Sequence, residues 1–130
     1  MKILKEINQI FMVLAARKMC SAAIETRIMG LKDVYAKKGD IKTIAVQGQF
    51  KNALEWINMD YDHLKFTISD ENNQVFFSEK NKINFWDGTA RTNLNTENLS
   101  PGVYKIDILF KGNNALRYSK ASSNLIIGEP

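Results

Sequence analysis

The sequence predicts a mainly β fold: an antiparallel β-sandwich of about seven strands preceded by an amphipathic α-helix. Three observations carry that expectation. From Leu31 onward, apolar and polar residues alternate with a period of two, in short runs separated by Gly, Pro, Asn and Asp. Over residues 1–30 the apolar spacing is instead three and four. At Leu99-Ser100-Pro101-Gly102-Val103-Tyr104, a Pro-Gly pair suited to the centre of a tight turn leads straight into the most regular alternating run of the chain.

The first element, residues 1–30, reads as a helix. Ile3, Ile7, Ile10 and Leu14, then Ile24, Ile28 and Leu31, recur at helical spacing, and Leu4, Phe11, Met12 and Val13 widen the stripe. Alanine, lysine and methionine favour the helix, and no proline interrupts it. Gly30 suits its C-terminal stop, with Arg27 complementing the dipole in the last turn. A stripe this apolar draws its stability from packing. It would cover the chain's own sheet, or bury itself against another chain as a docking or homo-oligomerising helix. The contact residues would then be Ile3, Ile7, Ile10 and Leu14, with Phe11 as anchor. A secretory leader is the third reading, with Lys2 and Lys5 before an Ile10–Ala16 core, but Arg17-Lys18 intrudes before Ser21-Ala22-Ala23. The apolar run is too short for a membrane-spanning helix.

Residues 31–130 read as the sandwich. Val34-Tyr35 opens it, and Ile44, Val46 and Phe50 alternate with Ala45, Gln47 and Gln49. Gly48 among them marks a bulge or a close backbone approach. Leu64, Phe66 and Ile68 form the next strand, and Asp70-Glu71-Asn72-Asn73 turns the chain back through Gln74–Ser78 as a hairpin. Ile83 and Phe85 begin a further strand, ended by the turn signal Asp87-Gly88. Thr89–Leu94 follows, with Ala90, Thr92 and Leu94 on one side. Val103–Phe110 then places Tyr104, Ile106, Ile108 and Phe110 on a single face. A Gly112-Asn113-Asn114 turn precedes the closing strand, Ser119–Ile127.

The Leu99-x-x-Gly102-x-Tyr104 arrangement resembles the tyrosine corner of immunoglobulin-like sandwiches, where the phenol bonds back to upstream backbone. Leu99, Gly102 and Tyr104 are therefore the fold-defining residues. The C-terminal half resembles the bacterial and archaeal immunoglobulin-like repeats of surface adhesin-type proteins. The residues that carry this are Asp87-Gly88-x-Ala90, Leu99-x-x-Gly102-x-Tyr104-x-Ile106, Phe110-x-Gly112-Asn113, Tyr118-Ser119 and Leu125-Ile126-Ile127. Lys38-Gly39-Asp40 ahead of a strand is similar to the immunoglobulin-like modules of phage baseplate and tail-fibre proteins. The resemblance runs from Val34 to Ile127 and leaves the N-terminal helix unmatched. It implies a rigid, non-catalytic module of a virion or of an extracellular, cell-surface assembly. A single repeat with an added helix and no convincing export signal tilts the expectation toward phage.

Composition narrows the chemistry. With 130 residues the chain suits one domain plus an appendage, and its 45% hydrophobic and 25% charged residues are ordinary globular values. Cys20 is the only cysteine, which excludes an intramolecular disulfide and a cysteine-based zinc site. The net charge of +4 sits in the N-terminal forty residues as pairs, Arg17-Lys18 and Lys37-Lys38, rather than as a face for specific nucleic-acid binding. His63 is the sole histidine, so a catalytic triad would have to use it; Asp60-Tyr61-Asp62-His63 offers metal-ligating groups without a second ligand cluster. Trp56, Tyr61, Phe76 and Trp86 raise sugar recognition, with Trp56 and Trp86 as the glycan contacts. The expectation is a non-enzymatic structural or docking subunit with no cofactor, whose partner is a protein. The alternative is a carbohydrate-binding or adhesion module reading a surface glycan.

Overall fold

The computed structural model describes residues 24–130, and within them all side chains but those of residues 79–82. Two sheets face each other. One contains β1 (Thr26–Met29), β3 (Ile41–Asn52), β4 (Glu55–Asn58) and β7 (Thr89–Asn95), with β3 as the common partner of the other three. The other runs in the order β2 (Val34–Lys37), β9 (Ser119–Gly128), β8 (Gly102–Phe110), β5 (His63–Ser69) and β6 (Val75–Asn84).

The alternating positions of β3, β5, β7, β8 and β9 meet between the sheets. Ile44, Val46, Ala90 and Leu94 from one side pack with Leu64, Phe66, Ile68, Ile106, Ile108 and Leu125 from the other, all buried. Near the start of β8, the Tyr104 hydroxyl donates to the Ser100 carbonyl over 2.7 Å, four residues upstream, and its ring is buried. This bond and the two-sheet layout are those of an immunoglobulin-like sandwich. Tyr104→Phe leaves the Ser100 carbonyl without that donor. It is expected to cost about 1–2 kcal/mol, read as a lowered urea midpoint at unchanged slope.

Five features depart from the sequence reading. First, Ile24 to Met29 is extended, not helical: Ile24 bridges Leu116, and Thr26–Met29 pairs antiparallel with Gln47–Phe50. Ile24 and Ile28 are four apart, a spacing that a helix and a strand both satisfy, and Thr26 between them completes a β-branched alternation. The Thr26 hydroxyl donates to the Arg117 carbonyl and lies 2.9 Å from the Ser119 hydroxyl, so tertiary contact decides for the strand. The sandwich therefore begins by Ile24, not at Leu31. The rest of the expected helix, with Ile3, Ile7, Ile10, Phe11, Leu14 and Cys20, lies outside the described residues.

Second, the sandwich is not wholly antiparallel, because β2 pairs in parallel with Leu125–Gly128 of β9. The chain crosses from one sheet to the other between β1 and β2, through Gly30 at φ 84°, and Asp33 anchors the crossing by accepting from the Asn124 N–H. Third, β4 forms a hairpin with β3 around Ala53, which takes a φ of 57° without the glycine that would have announced it. Fourth, Val75–Asn84 is one bulged strand rather than two. Fifth, Pro101-Gly102 does not turn the chain. The turn spans Thr96 to Leu99, closed by the Leu99 N–H on the Thr96 carbonyl, and Gly102 already pairs with Ile127.

Candidate functional site

The turn signal Asp87-Gly88 builds one end of the sandwich. Both residues have positive φ, 49° and 87°, the pattern of a two-residue hairpin turn, and the Trp86 and Thr89 backbones bond across it. The segment Asp60–Asp62 lies alongside. The Tyr61 N–H donates to the Phe85 carbonyl, the Phe85 N–H to the Asp62 carbonyl, and the Gly88 N–H to the Met59 carbonyl, at 2.8–2.9 Å. An Asp60 carboxylate oxygen accepts from the Asp87 N–H at 3.1 Å. Two segments that are far apart in sequence thus form one hydrogen-bonded frame.

That frame presents two aromatic rings to solvent. Trp86 is 69% exposed and Tyr61 is 64% exposed, and the rings meet edge to face with centroids 5.3 Å apart. Tyr61 itself has a φ of 64°. His63 begins β5 beside them, its Nδ1 hydrogen-bonded to the Asn84 side chain. A cleft of about 380 Å³ opens from Tyr61, Asp62 and His63 toward Lys65, Lys111 and Asn113. Burial pushes the Asp62 carboxyl above its ordinary value of 3.8; the nearby His63 lowers it and Asp60 raises it further. The folded state therefore takes up this proton more readily than the unfolded chain, and the carboxyl's ionisation opposes folding as pH rises through the raised value. Asp62→Asn is expected to melt above the wild type at neutral pH, with the gap closing as pH falls through the raised value toward 3.8. A gap independent of pH would count against burial as the cause.

Trp56 and Trp86, the expected glycan contacts, have different surroundings. Trp56 on β4 is half-buried, with the Arg27 guanidinium 4.0 Å above its ring centroid and the Lys51 ammonium at 5.0 Å. Arg27 is held there by two hydrogen bonds to Gln49, which in turn donates to Asn58. Trp86 instead pairs with Tyr61. No group of three His, Cys, Asp or Glu side chains is placed to hold a metal among the described residues, and Asp60, Asp62 and His63 do not converge as one. Leu99 is buried near the corner, and Gly102 has open space where a Cβ would stand.

No protein-family model matches the sequence, and no curated protein matches it. Solved structures resemble the fold. A family 123 glycoside hydrolase from Clostridium perfringens matches 82% of this chain with 27% of its own, at a TM-score of 0.56 and 10% identity. The IG27 protein domain matches 85% of the chain with 99% of its own, at a TM-score of 0.49 and 16% identity. An immunoglobulin domain complex of titin M10 and obscurin-like 1 matches 77% with 88%, at a TM-score of 0.43 and 12% identity. At such identities the likeness concerns the fold alone. This chain spans 27% of the length of the hydrolase.

Two features lay beyond sequence reasoning. The pairing of Tyr61 with Trp86 has no signal in the sequence, since it depends on the frame joining the two segments. Thr96, fully buried, gathers the Lys37–Asp40 turn through its hydroxyl, and a lone threonine after a strand carries no mark of that role.

Proposed function

We propose that this chain is a non-catalytic docking module of a virion or cell-surface assembly, holding a protein partner by contact rather than by bond making. One observation carries the reading: both sheets end on the same flank. There β6 pairs only with β5 and β7 only with β3 among the described strands. A groove of about 280 Å³ runs between them, lined by Phe76, Phe77, Leu94, Leu99 and flanking asparagines. Val75 is 54% exposed and Phe76 is 41% exposed at its rim. An extended partner segment laid along β7 would satisfy the open backbone groups of that edge and set alternate side chains on Phe76 and Phe77.

The apolar spacing of Ile3, Ile7, Ile10, Phe11 and Leu14 in the sequence supports a second contact, through which the chain would self-assemble.

A photo-crosslinking residue placed at Asn93 on β7 tests the flank. It should capture one component of the native assembly, and Phe76→Lys should abolish the capture. Equal capture from a control at exposed Tyr118 would sink the reading. Light scattering tests the stripe: an oligomer formed by the full chain should be lost in a chain starting at Ile24, which keeps β1 in its sheet.

A further inference from the structure

We propose that the Tyr61–Trp86 end is a saccharide site, with Trp86 stacking on a neutral pyranose ring while Asp62 and His63 take its hydroxyls. The inference stands on residues other than the β6–β7 flank and does not depend on docking there.

Presentation is the first argument. Trp86 and Tyr61 are 69% and 64% exposed, yet they sit on the hydrogen-bonded frame of Asp60–Asp62 and Trp86–Thr89 rather than on a loose loop. Tyr61 and Asp87 both hold left-handed backbones, at φ 64° and 49°. At Asp87 this is the hairpin turn's own geometry, whereas at Tyr61 it costs about 1 kcal/mol or more. Tyr61 is thus fixed in the frame with its ring against that of Trp86. A preorganised ring of this kind binds the C–H face of a sugar at little entropic cost.

The polar surroundings decide the ligand class. Asp62 is half-buried, which disfavours its ionised form, and a sugar hydroxyl would give its carboxylate a hydrogen-bond donor. The His63 ring, oriented through Nδ1 by Asn84, leaves Nε2 for a second hydroxyl. Lys65 and Lys111 also line the cleft, and their amino groups are donors of the kind that sugar oxygens accept from. With Asp60, Asp62 and Asp87 near the rings and Lys65 and Lys111 along the cleft, the charges offset, so nothing draws in the phosphates of a nucleotide, the other ligand that stacks on aromatic faces. Two rings in edge-to-face contact at 5.3 Å do not by themselves enclose a methylammonium, and Lys65 and Lys111 offset the pull of the aspartates on a cation.

Because the chain has two tryptophans, Trp56→Phe makes Trp86 the sole indole reporter in the full-length protein. Hexasaccharides of glucose, mannose, xylose and N-acetylglucosamine are titrated against it to about 10 mM, with choline and ATP run in parallel. At least one saccharide should shift the emission saturably. By calorimetry, Trp86→Ala should weaken that binding at least tenfold at an unchanged melting temperature, and Asp62→Asn should weaken it about tenfold. Should Trp86→Ala melt early, Asp62→Asn alone decides. No shift with any sugar, binding that survives these substitutions, or saturation by choline or ATP instead overturns the proposal.

Discussion

Gly48→Ala is expected to destabilise the sandwich by roughly 3 kcal/mol, at the upper end of overpacking costs. An alanine Cβ there would stand 2.2, 2.4 and 2.8 Å from three ring carbons of Phe85. Neither side can yield. Phe85 is fully buried, and its N–H is bound to the Asp62 carbonyl. The Gly48 backbone is held by its N–H on the Gly88 carbonyl, by the Met59 N–H on its own carbonyl, and by pairing opposite Ile28. Close approach of a ring to bare backbone, rather than an unusual φ, is what demands glycine at this position. Urea unfolding of Gly48→Ala, Phe85→Leu and the double variant tests this. The double variant should be at least 1 kcal/mol more stable than the sum of the single effects requires; strict additivity would refute the clash.

Thr96→Val is expected to cost about 2 kcal/mol although it preserves shape, because it removes the part-buried hydrogen bonds of a fully buried hydroxyl. The Thr96 hydroxyl lies 2.7 Å from the Asp40 carbonyl and 3.2 Å from that of Lys37, and it accepts from the Gly39 N–H at 3.0 Å. It thereby ties the β2–β3 turn to the end of β7. Thr96→Ser keeps the hydroxyl and should recover most of the loss. A Thr96→Val melting temperature within about 2 °C of wild type would show that water replaces the hydroxyl at little cost.

The period-two runs were legible because each strand of a two-layer sandwich buries one face. The positions predicted to share a face in β5 and β8, Leu64-Phe66-Ile68 and Tyr104-Ile106-Ile108-Phe110, are buried together. Asp87-Gly88 was legible for a local reason, since its φ values suit few other residue pairs. Less local features were not. Ala53 turns the β3–β4 hairpin with no turn signature, and Pro101-Gly102 carries a turn signature but lies beyond the turn, which the Leu99 N–H closes and the Thr96 hydroxyl anchors to residues more than fifty positions away. Of the expected glycan residues, Trp86 is open to solvent, whereas Arg27 stacks on Trp56, a pairing made only when β1 and β4 flank β3.

By itself, then, the sequence determined the β class, the alternation of most strands, the core faces and the phenol at the start of β8. These follow from side-chain periodicity and short-range backbone preference, which a chain carries wherever it folds. Tertiary structure decided that Thr26–Met29 is a strand, that β2 joins β9 in parallel, and that Tyr61 meets Trp86 beside Asp62. Each of those depends on which distant backbone or ring supplies the partner. An apolar spacing of four, or an aromatic residue in a loop, is compatible with several partners until the sheets have paired.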